Sequence, residues 1–260
     1  MRILSYNVHG LPWSRNQSPS IVRYLSSIHP DVLCLQEVFT KKMRDYFSVE
    51  LPKHGYTVVS PRDDGVTIMG SGLLIAFSSA YTLLSACFYP YTVYHDIEVG
   101  ANKGFQTVRL KANDGRRYLV ANTHLQSNTP FNILGGSSNV SHVRKAQLAE
   151  VVRWLEPSRD PVLLVGDMNC EHSPHPHVRF LQHGSTVKKS TFPLTGEDLD
   201  HVAWIPTQWA PPGIAWCRFD TKGVRATAYR VDGVDYSDHS PIVVDLVVPE
   251  IPPTKKECTS

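Results

Sequence analysis

The amino-acid sequence predicts a mixed α/β fold built as one domain. Three features carry that expectation: short apolar runs recur and end in polar residues, stretches with apolar side chains at helical spacing lie between them, and no linker interrupts the chain before its proline-rich end. With 260 residues and 42% hydrophobic content, the chain has enough apolar side chains for one large domain or two small ones. The missing linker favours one domain over residues 1–248, with residues 249–260 as a tail too poor in apolar side chains to pack.

Taken in order, residues 3–6 form an apolar run that ends at Asn7. Ser18 is a plausible helix cap with Pro19 at the first helical position, Ile21, Tyr24, Leu25 and Ile28 follow at helical spacing, and Pro30 stops the helix. Residues 32–35 make a second strand, ending at Gln36 and Glu37. Thr40 caps a second helix that places Met43, Phe47 and Leu51 on one face. Asn113-Asp114-Gly115 is a hairpin turn between residues 105–110 and 118–121, and the second of these strands runs into Thr123 and His124. Residues 127–140, rich in Gly, Ser and Pro, read as a mobile loop and a candidate lid. Ser141 caps a third helix carrying Leu148, Val151, Val152 and Leu155; residues 162–165 then form a strand that ends at Gly166-Asp167-Met168-Asn169. Asp200-His201 opens a strand at 202–205, and Ser237-Asp238-His239 precedes the terminal strand at 242–248. These strands therefore deliver polar residues to one rim.

Composition excludes some functions. Lys and Arg number 26 against 24 Asp and Glu, a net charge of +2, far from the basic balance of a dedicated duplex-DNA or anionic-membrane binder. Lys41-Lys42 with Arg44, Arg116-Arg117 and Lys188-Lys189 read as solvated faces. Five scattered cysteines without metal-type spacing fit a reducing compartment. Neither a signal-peptide pattern nor a bilayer-length apolar stretch is present, so a soluble, cytoplasmic or otherwise intracellular protein is expected. Glu171, His172, His175 and His177 sit in a proline-broken loop and read as adventitious histidines rather than a dedicated metal site.

In extended chain, residues two apart face the same side, so Asp167 and Asn169 can reach one ligand while Met168 points to the core; an Asx turn after a strand is the plain alternative. His239 with Asp200 has the make-up of an imidazole fixed by a carboxylate, though an Asp-His dipeptide beside a strand also serves as a cap or surface pair.

The ordered set Asn7, Leu35-Gln36-Glu37, Asn122-Thr123-His124-Leu125, Gly166-Asp167-Met168-Asn169, Asp200-His201 and Ser237-Asp238-His239 resembles the endonuclease/exonuclease/phosphatase superfamily from residue 3 to residue 246. The resemblance implies a four-layer α/β sandwich: two mixed β-sheets face to face, helices outside, and a catalytic cleft at one edge. It further implies Glu37 as main ligand of a catalytic Mg²⁺ or Mn²⁺, with Asn7 beside it and Asp238 reaching the same region. Asp167 would orient or deprotonate the attacking water, Asn169 would hold a nonbridging phosphate oxygen, Asp200 would polarise His239, and His124 would donate a proton or hydrogen bond to the phosphate or leaving group. Either Asp167 or His239 is the base.

Met69-Gly70-Ser71-Gly72-Leu73-Leu74 and Asn102-Lys103-Gly104-Phe105 are similar to segments of the neutral sphingomyelinase branch, which implies that Lys103 touches substrate phosphate. Phe88-Tyr89-Pro90-Tyr91 and Tyr94 offer rings to a membrane interface, to single-stranded bases, or to ordinary packing. The expected partner is thus a phosphodiester substrate, phospholipid with peripheral membrane contact or nucleic acid, cut by a monomer with no obligate protein partner. A binding module that keeps the fold without catalysis is the remote alternative.

Overall fold

A computed structural model of the chain describes residues 1–14, 17–62, 69–95, 98, 100–128, 140–158, 160–170, 172–176, 178–180, 200–205, 225–230, 237–239 and 241–247, with backbone alone at 179–180, 200–205, 225–230 and 247. Most of the expected lid at 127–140 and the tail at 249–260 lie outside these residues. The elements run β1 (Arg2–Asn7), α1 (Ser18–Ile28), β2 (Val32–Gln36), α2 (Lys41–Lys53), β3 (Tyr56–Val59), β4 (Leu74–Ser78), β5 (Tyr81–Pro90), β6 (Gly104–Ala112), β7 (Arg117–His124), α3 (Ser141–Leu155), β8 (Val162–Asp167), β9 (Arg179–Phe180), β10 (Asp200–Ile205), β11 (Arg225–Arg230) and β12 (Ile242–Val247).

The strands form two six-stranded sheets, β11-β12-β1-β2-β4-β3 and β5-β6-β7-β8-β10-β9. Each sheet has one parallel pair at its centre, β1 with β2 and β7 with β8, and antiparallel neighbours elsewhere. A parallel pair needs a crossover, and α1 and α3 supply them. Buried on both faces, β1, β2, β7 and β8 read as near-continuous apolar runs rather than alternating ones.

Three apolar clusters define four layers. Ile3, Val32 and Ile75 of the first sheet pack against Val108, Val120 and Leu163 of the second, filling the space between the sheets. Leu4, Leu33 and Leu35 turn outward under Ile21, Leu25, Phe47 and Leu51 of α1 and α2. Ala121 and Leu164 do the same under Leu148, Val151 and Leu155 of α3. The four-layer sandwich is the architecture expected.

Local signals were obeyed with small shifts. Thr40 caps α2, its hydroxyl accepting from Met43 N at 3.2 Å. In α1 the cap position falls on Gln17, because Ser18 is already helical; Pro19 sits in the first turn as its fixed φ favours. In α3 the cap is Val140, because Ser141 is already helical. The hairpin turn closes with Gly115 at φ +87°, its amide donating to Ala112 O at 2.9 Å. Of the roles open to the aromatic segment, Tyr91 takes ordinary packing. Rather than belonging to an exposed aromatic element, it is 1% exposed in the cluster under α3, its hydroxyl bonded to Thr123 Oγ1 at 2.5 Å. Tyr89, on the preceding strand, stacks between Phe105 and Trp154.

One backbone position is decisive for the rim. Gly166 has φ +140°, and a Cβ there would collide with the carbonyl oxygen of Thr123, its parallel partner across β7 and β8. Gly166→Ala is expected to cost roughly 2–4 kcal/mol, from strained φ plus the clash, read as a large fall in Tm. A Tm within a degree of wild type would show that the two strands do not hold this spacing.

Candidate active site

The C-terminal ends of the two parallel pairs meet at one rim, so four strands from two sheets supply the site. Asn7 ends β1 and is fully buried. Its Oδ1 accepts from the backbone N–H of His9 at 3.0 Å, which fixes the amide so that Nδ2 donates to Glu37 Oε1 at 3.0 Å and Asp167 Oδ2 at 2.9 Å. The amide therefore links a carboxylate of each sheet.

Glu37 follows β2 with φ +59°, a left-handed backbone that is uncommon for a glutamate and turns the chain away from the strand direction. The residue is partly exposed, yet its Oε2 is buried and has no hydrogen-bond partner. Burial pushes the Glu37 pKa up; the Asn7 hydrogen bond and the charges of His239 and Lys103 oppose this, and Asp238 adds to it.

Asp167 ends β8 and is 1% exposed. Its Oδ1 accepts from Asn169 N at 2.9 Å, the Asx turn that the sequence allowed, with Asn169 at φ +50°. Asn169 Nδ2 donates to Leu125 O at 3.0 Å, and Leu125 N donates back to Asp167 O at 2.9 Å. Turn and site are thus one structure, since the same bonds that close the turn carry both side chains beside His124.

His124 ends β7 and is 4% exposed; its Nε2 lies 3.6 Å from Asp167 Oδ2, and its buried Nδ1 has no partner. Burial, then the charges of Lys103 and His239, hold its pKa well below the ordinary value, so the imidazole is neutral at neutral pH. Ligand atoms of Glu37, His124 and Asp167 all lie within 4.8 Å of one another, the one three-residue metal-type cluster among the described residues.

The loop before β12 closes the far side. Ser237 Oγ donates to Asn7 O at 2.7 Å and accepts from His239 N at 3.1 Å, which seats His239 Nε2 at 3.4 Å from Asn7 Nδ2 and 3.8 Å from Asp167 Oδ2. Asp238 Oδ1 pairs with His9 Nδ1 at 3.0 Å. Burial pushes the Asp238 pKa up, but the His9 hydrogen bond and the nearby imidazoles outweigh it and leave the carboxyl below its usual range, while the same hydrogen bond raises His9 against its own burial. Asp200 begins β10 with its Cα opposite Asp167; its side chain, and with it the expected bond to His239, lies outside the described residues.

Lys103 stands behind this group, 3% exposed, with Nζ 2.7 Å from Glu98 Oε1 and 3.0 Å from Leu125 O. Its charge bears on both Glu37 and His124. Sequence reasoning missed Glu98 and His9. His9 had a signal, since it lies two residues after Asn7 and so on the same side of an extended chain. Glu98 had none. A third missed feature is the bond from Gln36 Nε2 to Asn122 Oδ1 at 2.7 Å, a buried polar tie between β2 and β7 across the apolar interface of the sheets.

The fold agrees with solved structures across nearly the whole chain. A sphingomyelinase C from Streptomyces griseocarneus superposes with TM-score 0.68 at 19% identity, covering 94% of this chain and 98% of that one. A Staphylococcus aureus beta toxin variant with bound magnesium ions gives 0.70 at 17% identity, covering 94% and 98%. D. rerio TDP2 complexed with a single-strand DNA product gives 0.71 at 17%, covering 95% and 99%. No curated protein sequence matches the chain. The model of the Endonuclease/Exonuclease/phosphatase family matches residues 4–239, from the first strand through His239. The strand-end constellation and that match agree: this chain belongs to the Endonuclease/Exonuclease/phosphatase family of hydrolytic enzymes.

Proposed function

We propose that this protein is a Mg²⁺-dependent phosphodiesterase, with Mn²⁺ as an alternative ion, that hydrolyses a phospholipid headgroup ester by in-line attack of water. The observation that carries the reaction class is Glu37 Oε2, a buried carboxylate oxygen without a partner, set against Asp167 and His124. Leaving such an atom bare is costly, and an oxygen-seeking divalent cation is the group that would satisfy it. Glu37 would hold the ion, with Asn7 beside it, Asp167 and His124 bordering its seat, and Asp238 kept at the margin by His9. When bound, the cation supplies charge neutralisation at the nonbridging oxygens of the phosphate.

The chain's own groups do the rest. Asp167 orients or deprotonates the attacking water, and His239, 3.8 Å from the same carboxylate oxygen, is the other candidate base, polarised by Asp200. Asn169 holds a nonbridging oxygen. His124, neutral through burial, donates an N–H hydrogen bond to the phosphate or leaving group rather than carrying charge. Lys103 adds positive potential from its buried seat beside Glu98.

Support for the lipid reading comes from the likeness to sphingomyelinase C, and from Trp13, which is 77% exposed on the segment following Asn7 and suited to a membrane interface. The similarity to TDP2 in complex with single-strand DNA favours a second reading, a nuclease or DNA-end-processing phosphodiesterase in which Trp13 stacks on a base. A panel with Mg²⁺ separates the two: sphingomyelin vesicles, abasic duplex, single-stranded DNA, phosphotyrosyl-DNA and inositol phosphates. Vesicle hydrolysis that falls in Trp13→Ala is the expected result; nucleic-acid cleavage with inert vesicles overturns the lipid reading, and EDTA-resistant turnover overturns the metal dependence.

A further inference from the structure

Among the described residues each sheet leaves two edge strands, and the four edges differ in protection. β3 has four residues, β9 has two and begins with Arg179, and β11 is bounded by Arg225 and Arg230. Short length and charge are the usual devices that keep an edge from pairing with another chain. β5 has neither. It runs ten residues, YTLLSACFYP, without a charged side chain, and among the described residues pairs only with β6. Residues 82–87 are exposed, including Leu83 at 37% and Leu84 at 45%. A register shift between Leu83 and Ser85 turns the strand once; beyond it Ser85 to Pro90 follow β6 residue for residue, leaving a regular edge. At its far end Tyr89 stacks on Trp154, centroids 4.6 Å apart, and Trp154 is itself 57% exposed, so apolar surface continues past the strand.

We propose that β5 is a self-association edge, on which a second copy of this chain pairs its own β5 antiparallel about a two-fold axis. The identical strand is the occupant the sequence favours. It brings no charge and so no repulsion, and a two-fold antiparallel pair is self-complementary, each copy supplying both donors and acceptors. Exposed Leu83 and Leu84 of each copy gain cover that the monomer does not give them. The catalytic residues lie at the ends of β1, β2, β7 and β8, at the start of β10 and in the loop before β12, so pairing at β5 leaves the chemistry intact.

The test is sedimentation equilibrium of the full chain up to about 100 µM, with hydrogen exchange of residues 82–88 followed at low and high concentration. Expected are a reversible dimer, slowed exchange in β5 at high concentration, and a Kd weakened roughly tenfold or more by Ser85→Lys and by Ala86→Lys, since a charge would then face its own copy. Hydrolysis of a soluble phosphodiester stays at the wild-type level in both. A chain that is monomeric throughout the range overturns the proposal. So does a dimer that both variants leave intact, or one whose β5 amides exchange no more slowly than in the monomer. Because the exchange measurement uses the wild type, the result stands even where a lysine variant melts early.

Discussion

Glu37→Gln is expected to lower kcat/KM by about 10³-fold, roughly 4 kcal/mol of transition-state stabilisation, and at the same time to stabilise the metal-free protein. The two effects have one origin. Folding raises the Glu37 pKa through burial, so the group's contribution to stability is fully present below its unfolded value and is lost as pH rises through the folded one. Above the unfolded value the group therefore weighs against the fold in the absence of a cation. Glutamine keeps the Oε1 that accepts from Asn7 and removes the buried charge. A gain of about 1 kcal/mol would raise Tm by a few degrees in a domain of this size. Calorimetry at pH 8 and pH 5, with and without Mg²⁺, reads all of it. The gap between variant and wild type narrows in acid, and saturating Mg²⁺ raises only the wild type, because a ligand stabilises the fold that binds it. A metal-free Glu37→Gln that melts below wild type at pH 8 would remove the argument from burial.

Asp167→Asn and His124→Gln should part company when the leaving group is changed. Asp167 accepts from Asn7 and Asn169 and lies within 4 Å of both imidazoles, so its loss removes basicity and rearranges hydrogen bonds at the centre of the site. A fall in kcat of about 10³-fold, with KM changed little, is expected where an interaction is made chiefly in the transition state. His124→Gln should cost about 10²-fold on a natural alkoxide leaving group, because the neutral imidazole donates a hydrogen bond to charge developing there. A p-nitrophenyl phosphodiester needs little such help, so it should restore much of the His124→Gln rate and leave Asp167→Asn slow. The double variant should be little worse than the poorer single one, as for groups that act together. Equal rescue of both, or of neither, would show the roles exchanged or absent.

The parts of this molecule that were legible in sequence are those where chemistry sits at the end of a buried strand. Runs such as residues 32–35 and 162–165 are apolar without alternation because both faces are covered, and a polar residue at their end has no core to join; it stands out by contrast. Thr40 and the hairpin turn at Asn113-Asp114-Gly115 were legible because their bonds are local. What escaped depends on distant partners. The sequence left Tyr91 open between surface and core, and its bond to Thr123 and its place under α3 decide for the core. The Glu98 carboxylate and Leu125 carbonyl that hold the Lys103 ammonium lie 5 and 22 residues away and carried no sequence signal. β5 carried no alternation because neither of its faces is covered for most of its length.

The Asn7 amide gives the centre a mechanical property. Asn7 and Glu37 belong to one sheet and Asp167 and His124 to the other, and Asn7 Nδ2 spans the gap with one bond in each direction, as Gln36 and Asn122 do one layer deeper. Neither sheet owns the whole cluster. The centre behaves as a gauge of how the two halves dock, because sliding one sheet past the other by a fraction of a residue would pull the two carboxylates off their common amide while leaving each sheet's own ladder intact. Weakened docking should then silence the enzyme well before it unfolds it, and an ion seated between Glu37 and Asp167 would act as a rivet through the seam, resisting shear that the apolar core alone permits.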